Sequence, residues 1–140
     1  MKKKNTKPKK LREFVLESGT KVLAGKDAES NEALIEQVEP EEIVLHTKES
    51  GSPFVNIKEP KKSIINKIFS EDLKKAAIIC ARYSQDWRDN KSDVIVHKFK
   101  GKDVYKDKKM PLGTFGVRKK KNIKIRKKDI EKFIKENSEN

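Results

Sequence analysis

The chain has 140 residues, of which 34% are hydrophobic and 41% charged, a length and composition that suit one compact domain with a single modest core. Its 35 lysines and arginines face 22 acidic residues, so the net charge is +13 and the pI near 9.7, which points to a polyanionic partner, nucleic acid ahead of an anionic membrane face. No apolar run approaches the roughly 18 residues that span a bilayer, no apolar stretch follows the basic start MKKKNTKPKK as a secretory leader requires, and one cysteine, Cys80, excludes an internal disulfide, so a cytoplasmic protein is expected.

Residues 1–10 carry six lysines and no acid and read as a disordered basic arm. REFVLE (12–17) alternates Phe14 and Leu16 with polar neighbours, as a half-buried strand does. SGT (18–20) turns the chain into a returning strand, KVLAG (21–25). Asp27 suits the N-cap of a helix over 28–38 whose Leu34, Ile35 and Val38 share a face. Beyond Pro40, strands IVLH (43–46) and FVNIK (54–58) flank a loop at 47–52. Pro60 opens a connection containing a short apolar segment, IINKIF (64–69). Ser70 is placed to cap a helix over 71–84, with Glu71 and Asp72 at its positive start. In that helix Leu73, Ala76, Ala77, Cys80, Ala81 and Ser84 recur at helical spacing. These small side chains predict close packing on a sheet, with Cys80 a buried small hydrophobe.

SDVIVHKFK (92–100) predicts a strand with Val94, Val96 and Lys98 on one face and Ile95, His97 and Phe99 on the other. A tight turn at Gly101 and Lys102 leads to a hairpin partner, DVYK (103–106). TFGVRK (114–119) is a further strand in which Gly116 marks a bulge or a close approach. NIKIR (122–126) returns as a strand, and residues 127–137 form a helix with Ile130, Phe133 and Ile134 on one stripe. The expected architecture is α+β: a single domain over 11–126, built on a twisted, mainly antiparallel or mixed sheet of about six strands with helices packed on it. A C-terminal helix and tail follow over 127–140.

The charge is segregated. Residues 27–49 hold eight acids and one lysine, whereas residues 91–128 hold fifteen lysines and arginines and three acids, a pattern that predicts a dipolar molecule rather than a uniformly solvated surface. Eight of the eleven residues from Arg118 to Lys128 are basic, and Ile123 and Ile125 alternate with Lys124 and Arg126. On a strand that alternation buries the isoleucines and presents a ladder of cations, which a phosphate backbone rewards through counterion release. Arg118, Lys119, Lys120, Lys121, Lys124, Arg126 and Lys98 are therefore candidate RNA contacts. Phe115 is a candidate base-stacking platform, and Trp87 between Arg82 and Arg88 a candidate stacking or cation–π site. Core packing is the competing reading for both aromatics.

The loop LHTKESGSP (45–53) leaves two chemistries open. As an enzyme it would use His46 with Ser50 or Ser52 in an RNA-modifying or RNA-cleaving reaction, although ESGSP lacks the GxSxG elbow. As a binding hairpin it would hold phosphate through His46, Lys48, Ser50 and Ser52, with Gly51 permitting a close approach. No HExxH, CxxC, GxxxxGK[ST] or GxGxxG pattern is present, so neither a metal nor a cofactor is expected. A third reading takes an anionic membrane or an acidic protein as the partner.

Several segments together narrow the choice. REF (12–14), SGT (18–20), GKDAESNEAL (25–34), LHTKESGSP (45–53), KKAAIICARYSQDW (74–87), DVYK (103–106) and GTFGVRKKK (113–121) resemble, in order and spacing, the NFACT-R domain. That domain is the RNA-binding module of the NFACT proteins of ribosome-associated quality control. The resemblance implies an α/β RNA-binding fold without catalysis of its own, and tRNA or ribosome-associated RNA as the substrate class. It maps the family's histidine and glycine-loop positions onto His46, Ser50, Gly51 and Ser52. NFACT-N, helix-hairpin-helix and coiled-coil regions do not accompany the domain in this sequence, so tail elongation does not carry over. A stand-alone form is expected instead, with the ribosome or a tRNA-modifying enzyme as its partner and no membrane role.

Overall fold

The computed structural model describes residues 11–58 and 70–138. The basic arm at 1–10 and the apolar segment at 64–69 lie outside the described residues.

Strand β1 (Arg12–Val15) turns back through Ser18 to Thr20 into β2 (Lys21–Ala24). Helix α1 (Ala28–Glu36) starts at Asp27. The Asp27 carboxylate accepts the Ser30 N–H at 2.8 Å, and the Ser30 hydroxyl accepts the Asp27 N–H at 3.0 Å, a reciprocal cap that satisfies two otherwise orphaned donors. The helix ends two residues before Val38, which still packs beside Leu34 and Ile35. Strands β3 (Ile43–Thr47) and β4 (Val55–Lys58) follow.

The helix expected over 71–84 ends at Arg82, and a second helix that was not expected follows it. Helix α2 runs Ser70–Arg82 and α3 runs Gln85–Asn90. Ser84 belongs not to a helical stripe but to the break: its hydroxyl donates to Ala81 O at 2.6 Å and accepts the Trp87 N–H at 3.1 Å. A buried serine with extended backbone dihedrals is a strong N-cap, so it ends one helix and starts the next.

Strand β5 (Val94–Lys100) is followed by a 3-10 turn (Gly101–Asp103), then β6 (Val104–Tyr105) and β7 (Gly116–Val117). The hairpin expected between the strand at 92–100 and DVYK is not formed. β6 pairs with β7 in a separate two-stranded sheet, because both edges of β5 are already taken by β3 and β8. The strand expected over 114–119 is reduced to two residues, and Gly116 does sit at a close approach, beneath the Tyr105 ring. β8 (Lys121–Ile125) and α4 (Lys127–Asn137) complete the chain.

Six strands form one sheet in the order β1-β2-β4-β3-β5-β8, each pair antiparallel. The α+β fold with a mainly antiparallel six-stranded sheet is therefore as the sequence predicts. One face carries Val22, Val55, Ile57, Leu45, Val96 and Ile125 against Ala76, Ala77, Cys80 and Ala81 of α2, whose short side chains let the helix sit close. Burial drives the Cys80 thiol up to about 12, so it stays protonated and unreactive. Ile130 of α4 is buried in the same core, with Phe133 and Ile134 packed against it, which makes the helix at 127–137 part of this folding unit. The other face is covered only in part: Leu34 of α1 and Phe115 and Val117 shield Leu23, Val44, Phe54 and Phe99. What α1 and the β6–β7 unit leave uncovered is the groove described next.

Three of the eight acids of 27–49 are paired with lysines within the fold. Glu32 pairs with Lys106 at 3.1 Å, Glu42 with Lys58 at 2.8 Å, and Glu41 with Lys100 at 3.0 Å and Lys102 at 3.1 Å. The Lys100 and then the Lys102 ammonium hold the Glu41 carboxyl below the usual range. The expected dipole is thus partly neutralised within the fold.

Candidate nucleic-acid interface

Between α1, the β3–β4 loop, the start of α3 and residues 112–117, the open sheet face forms a groove of about 630 Å³, within the ~300–1,000 Å³ of small-ligand sites. Arg12, Lys26, Lys48, Arg88 and Lys120 line it, and its single carboxylate among the described residues is Asp27, which caps α1. The floor is aromatic. The His46 ring lies 4.5 Å from that of Phe54, and Phe115 meets Phe54 edge-on at 5.5 Å. His46 on β3 is directly opposite His97 on β5, so period-two alternation brings both imidazoles to the groove face while Leu45 and Val96 point to α2.

Both imidazoles are held below the ordinary histidine range. For His46 burial is the main cause, with the His97 charge adding to it and a hydrogen bond to Thr47 opposing it. For His97 it is burial first, then the Lys120 and Lys48 charges. His46 Nδ1 lies 2.8 Å from the Thr47 carbonyl; a carbonyl only accepts, so Nδ1 carries the proton.

The loop residues divide. Lys48 and Ser50 are exposed on the groove rim. Gly51 has φ +89 and its carbonyl accepts the Gln85 N–H at 2.8 Å. A Cβ at Gly51 would stand 2.9 Å from Gln85 Cβ, so the close approach that needs glycine is to α3. Ser52 departs from expectation. Its side chain is buried, accepting the Thr47 N–H at 3.0 Å and donating to Pro53 O at 3.0 Å. It closes the hairpin and has no donor left for a phosphate. No hydrogen bond joins His46 to Ser50 or Ser52 among the described residues.

Of the basic run, only Lys120 reaches the groove. Arg118 turns its guanidinium over the Tyr105 ring at 4.7 Å, and Lys119 is exposed outside the groove. Lys98 and Lys121 face each other across β5 and β8, in step with Ile123 and Ile125 on the α2 side. Lys124 pairs with Asp93 at 3.7 Å, and Arg126 is the N-cap residue before α4. The ladder of cations is therefore split between two faces and an element end. Arg82 stacks on Tyr83 at 4.7 Å, outside the groove lining. Arg88 does line it, bonded to Gln85 Oε1 at 2.9 Å and to Tyr83 O at 3.3 Å. Trp87 is 3% exposed within the α2 core and offers no face to a base. Phe115 is half-buried: one edge packs on Phe54, and the Lys106 ammonium sits 4.5 Å above its ring.

Sequence reasoning missed Arg12, Lys26, Asn31, Tyr83 and His97. Arg12 donates to Gly25 O at 2.7 Å and stacks 4.1 Å over Tyr83, which poises a cation on an aromatic plane at one end of the groove. REF and YS carried the signal, but their pairing across the sheet edge was not readable from spacing.

The NFACT protein RNA binding domain profile matches residues 10–119. No curated protein sequence matches the chain significantly. Among solved structures, the C-terminal part of the fibronectin/fibrinogen-binding protein from Streptococcus suis superposes with a TM-score of 0.73 at 21% identity, covering 89% of this chain and 48% of that one. At that identity the likeness is one of fold, and this chain spans about half of the structure it matches. The profile, in contrast, takes in nearly all of the groove lining and most of the sheet, and on it the chain belongs to the NFACT-R family of RNA-binding domains.

Proposed function

We propose that the groove between α1 and the β3–β4 loop is the RNA site, that its natural ligand is tRNA or ribosome-associated RNA, and that the chain performs no catalysis itself. The observation that carries this reading is five cations around an aromatic and imidazole floor with one carboxylate, already committed to a helix cap. Cations on the rim draw in the phosphate backbone, and aromatic faces accept unpaired bases. The family resemblance of the five segments that line the groove supports tRNA as the class. The absence of a His46–serine hydrogen bond, and the burial of Ser52, support a binding role over a nucleolytic one. The same reading places the protein in the cytoplasm, working beside the ribosome or a tRNA-modifying enzyme.

The test is crosslinking in cells followed by sequencing of the bound RNA, with titration of purified tRNA by fluorescence anisotropy. Enrichment of tRNA or rRNA, lost in an Arg12→Ala/Lys48→Ala/Lys120→Ala variant, is the expected result. RNA shortened or modified by pure wild-type protein but not by His46→Ala would instead establish the enzyme reading.

A further inference from the structure

The groove lining is rich in donors, and its floor carries two imidazoles, His46 and His97, that can accept. Lys26, Lys48 and Lys120 present ammonium groups, and Arg12 and Arg88 guanidinium groups. Three acceptors of the lining are occupied: Asn31 Oδ1 takes the Phe54 N–H at 3.0 Å, Gly51 O takes the Gln85 N–H at 2.8 Å, and Ser52 Oγ takes the Thr47 N–H at 3.0 Å. His97 has no hydrogen bond among the described residues to fix its tautomer. His46 differs. Its Nδ1 gives its proton to the Thr47 carbonyl, so in the neutral ring Nε2 holds a lone pair and no hydrogen. Nε2 makes no hydrogen bond among the described residues, and the ring lines the groove with Nε2 as its distal polar atom. Phe54 fixes the ring plane from one side and burial keeps it uncharged.

A phosphate satisfies the donors but repels a lone pair. The ligand must therefore bring acceptors and a donor together within one nucleotide. RNA does so through its phosphates and its ribose 2′-hydroxyl, whereas DNA lacks the hydroxyl. A base amine is the alternative source of the same donor. We propose that the groove seats one unpaired nucleotide, that His46 Nε2 accepts the ribose 2′-hydroxyl while the rim cations hold the flanking phosphates, and that this contact makes the site select RNA over DNA. The inference rests on the groove being the RNA site.

Oligouridylate and oligodeoxyuridylate test it, because uracil has no exocyclic amine and the two differ only at the 2′ position. Wild-type protein is expected to bind the ribo-oligomer about 2- to 12-fold more tightly, the range of one net hydrogen bond. His46→Phe keeps a ring against Phe54 and removes Nε2, so the ratio should fall to about 1 with the salt dependence unchanged. His46→Gln carries an acceptor near the same place and should recover part of the preference. A wild-type ratio near 1, or a ratio that survives in His46→Phe, overturns the inference and leaves the RNA site standing. Preference for oligodeoxycytidylate over oligodeoxyuridylate that disappears in His46→Phe moves the donor to a base amine and overturns the ribose assignment. Failure of wild-type protein to bind any RNA with salt-dependent affinity overturns the parent reading as well. Should His46→Phe not fold, the ¹⁵N shift of Nε2 in wild-type protein decides: it should move on adding the ribo-oligomer and stay still with the deoxy one.

Discussion

Removing Lys48 and Lys120 tests the groove electrostatically. Both line it, both lower the proton affinity of His97 between them, and neither makes an ion pair among the described residues. Each is exposed, so Lys48→Gln/Lys120→Gln should leave stability within about 0.5 kcal/mol of wild type. The consequence for binding follows from counterion release. Five neutralised phosphates give a slope of log affinity against log salt of about −3.5 for single-stranded RNA and −4.5 for a duplex, so wild-type binding should weaken about 130- to 500-fold between 50 and 200 mM salt. Two fewer phosphates reduce the slope by about 1.4 to 1.8, so the variant should weaken less than wild type over the same interval by about 7- to 12-fold. Fluorescence anisotropy with labelled tRNA at four salt concentrations measures both slopes. An unchanged slope in the double variant would mean that phosphates sit elsewhere, with the exposed Arg118–Lys119 corner as the next place to mutate. A wild-type slope near zero would refute the electrostatic argument altogether.

Gly51→Ala should destabilise the fold by about 1–3 kcal/mol, because a left-handed φ of +89 is costly for a residue with a side chain and the added Cβ meets Gln85; a thermal midpoint equal to wild type would show that the loop relaxes freely. Stability should also fall at mildly acidic pH. His46 is held below its usual 6.5, chiefly by burial, and His97, which faces Lys48 and Lys120, shifts the same way. The unfolded chain therefore takes up protons first, and the loss begins as pH drops through about 6.5 and continues toward the folded values. His46→Phe should flatten the fall between pH 7.5 and about 5.5 in thermal denaturation, and a parallel fall in the variant would exclude this residue as its source. Trp87, the single tryptophan, is 3% exposed, so its emission should be blue-shifted and untouched by iodide or by RNA. Red-shifted emission quenched by RNA would restore it as a base platform.

The elements whose signal is local were legible in the sequence. The alternation of Val94 and Val96 against His97 and Phe99 assigns the two faces of β5 correctly, and the small-residue stripe of α2 predicts the helix that covers the sheet. Partner choice was not legible. Nothing near DVYK says that β6 must seek β7, because the reason is that β3 and β8 occupy β5. The basic run shows the same limit. Composition reports its charge, but the two-residue period of β8 sends Lys121 to one face and Lys124 to the other, and Asp93 then pairs with Lys124. The break at Ser84 was missed because the helical spacing took that serine as the last member of the α2 stripe, which masked its role as a cap for QDW.

The family's segments look unspecific singly because each supplies one wall of a shared groove. Arg12 comes from REF, Asn31 from GKDAESNEAL, His46 and Gly51 from LHTKESGSP, Tyr83 from just past the end of α2, and Phe115 from GTFGV. The two segments that stay outside hold the frame. Ser18 and Thr20 of SGT give hydroxyl hydrogen bonds of 2.8–2.9 Å to the buried Asp72 carboxylate, tying the β1–β2 turn to the start of α2. Lys106 of DVYK donates to Pro111 O at 2.7 Å and Thr114 O at 3.0 Å and pairs with Glu32, while Glu32 also takes the Gly113 N–H at 2.7 Å. Gly113, at φ +80, lies so close to α1 that a Cβ would meet the Ala28 backbone at 2.8 Å. The wall bearing Phe115 is thereby clamped to α1, and its distance from His46 is set by Glu32, Lys106 and a glycine rather than by the loop's own preference. The lysines meet phosphates that RNA and DNA share, whereas the Thr47 carbonyl fixes the His46 lone pair on Nε2 at the groove floor, which is why His46, and not the far larger number of lysines, is the residue on which RNA selectivity should turn.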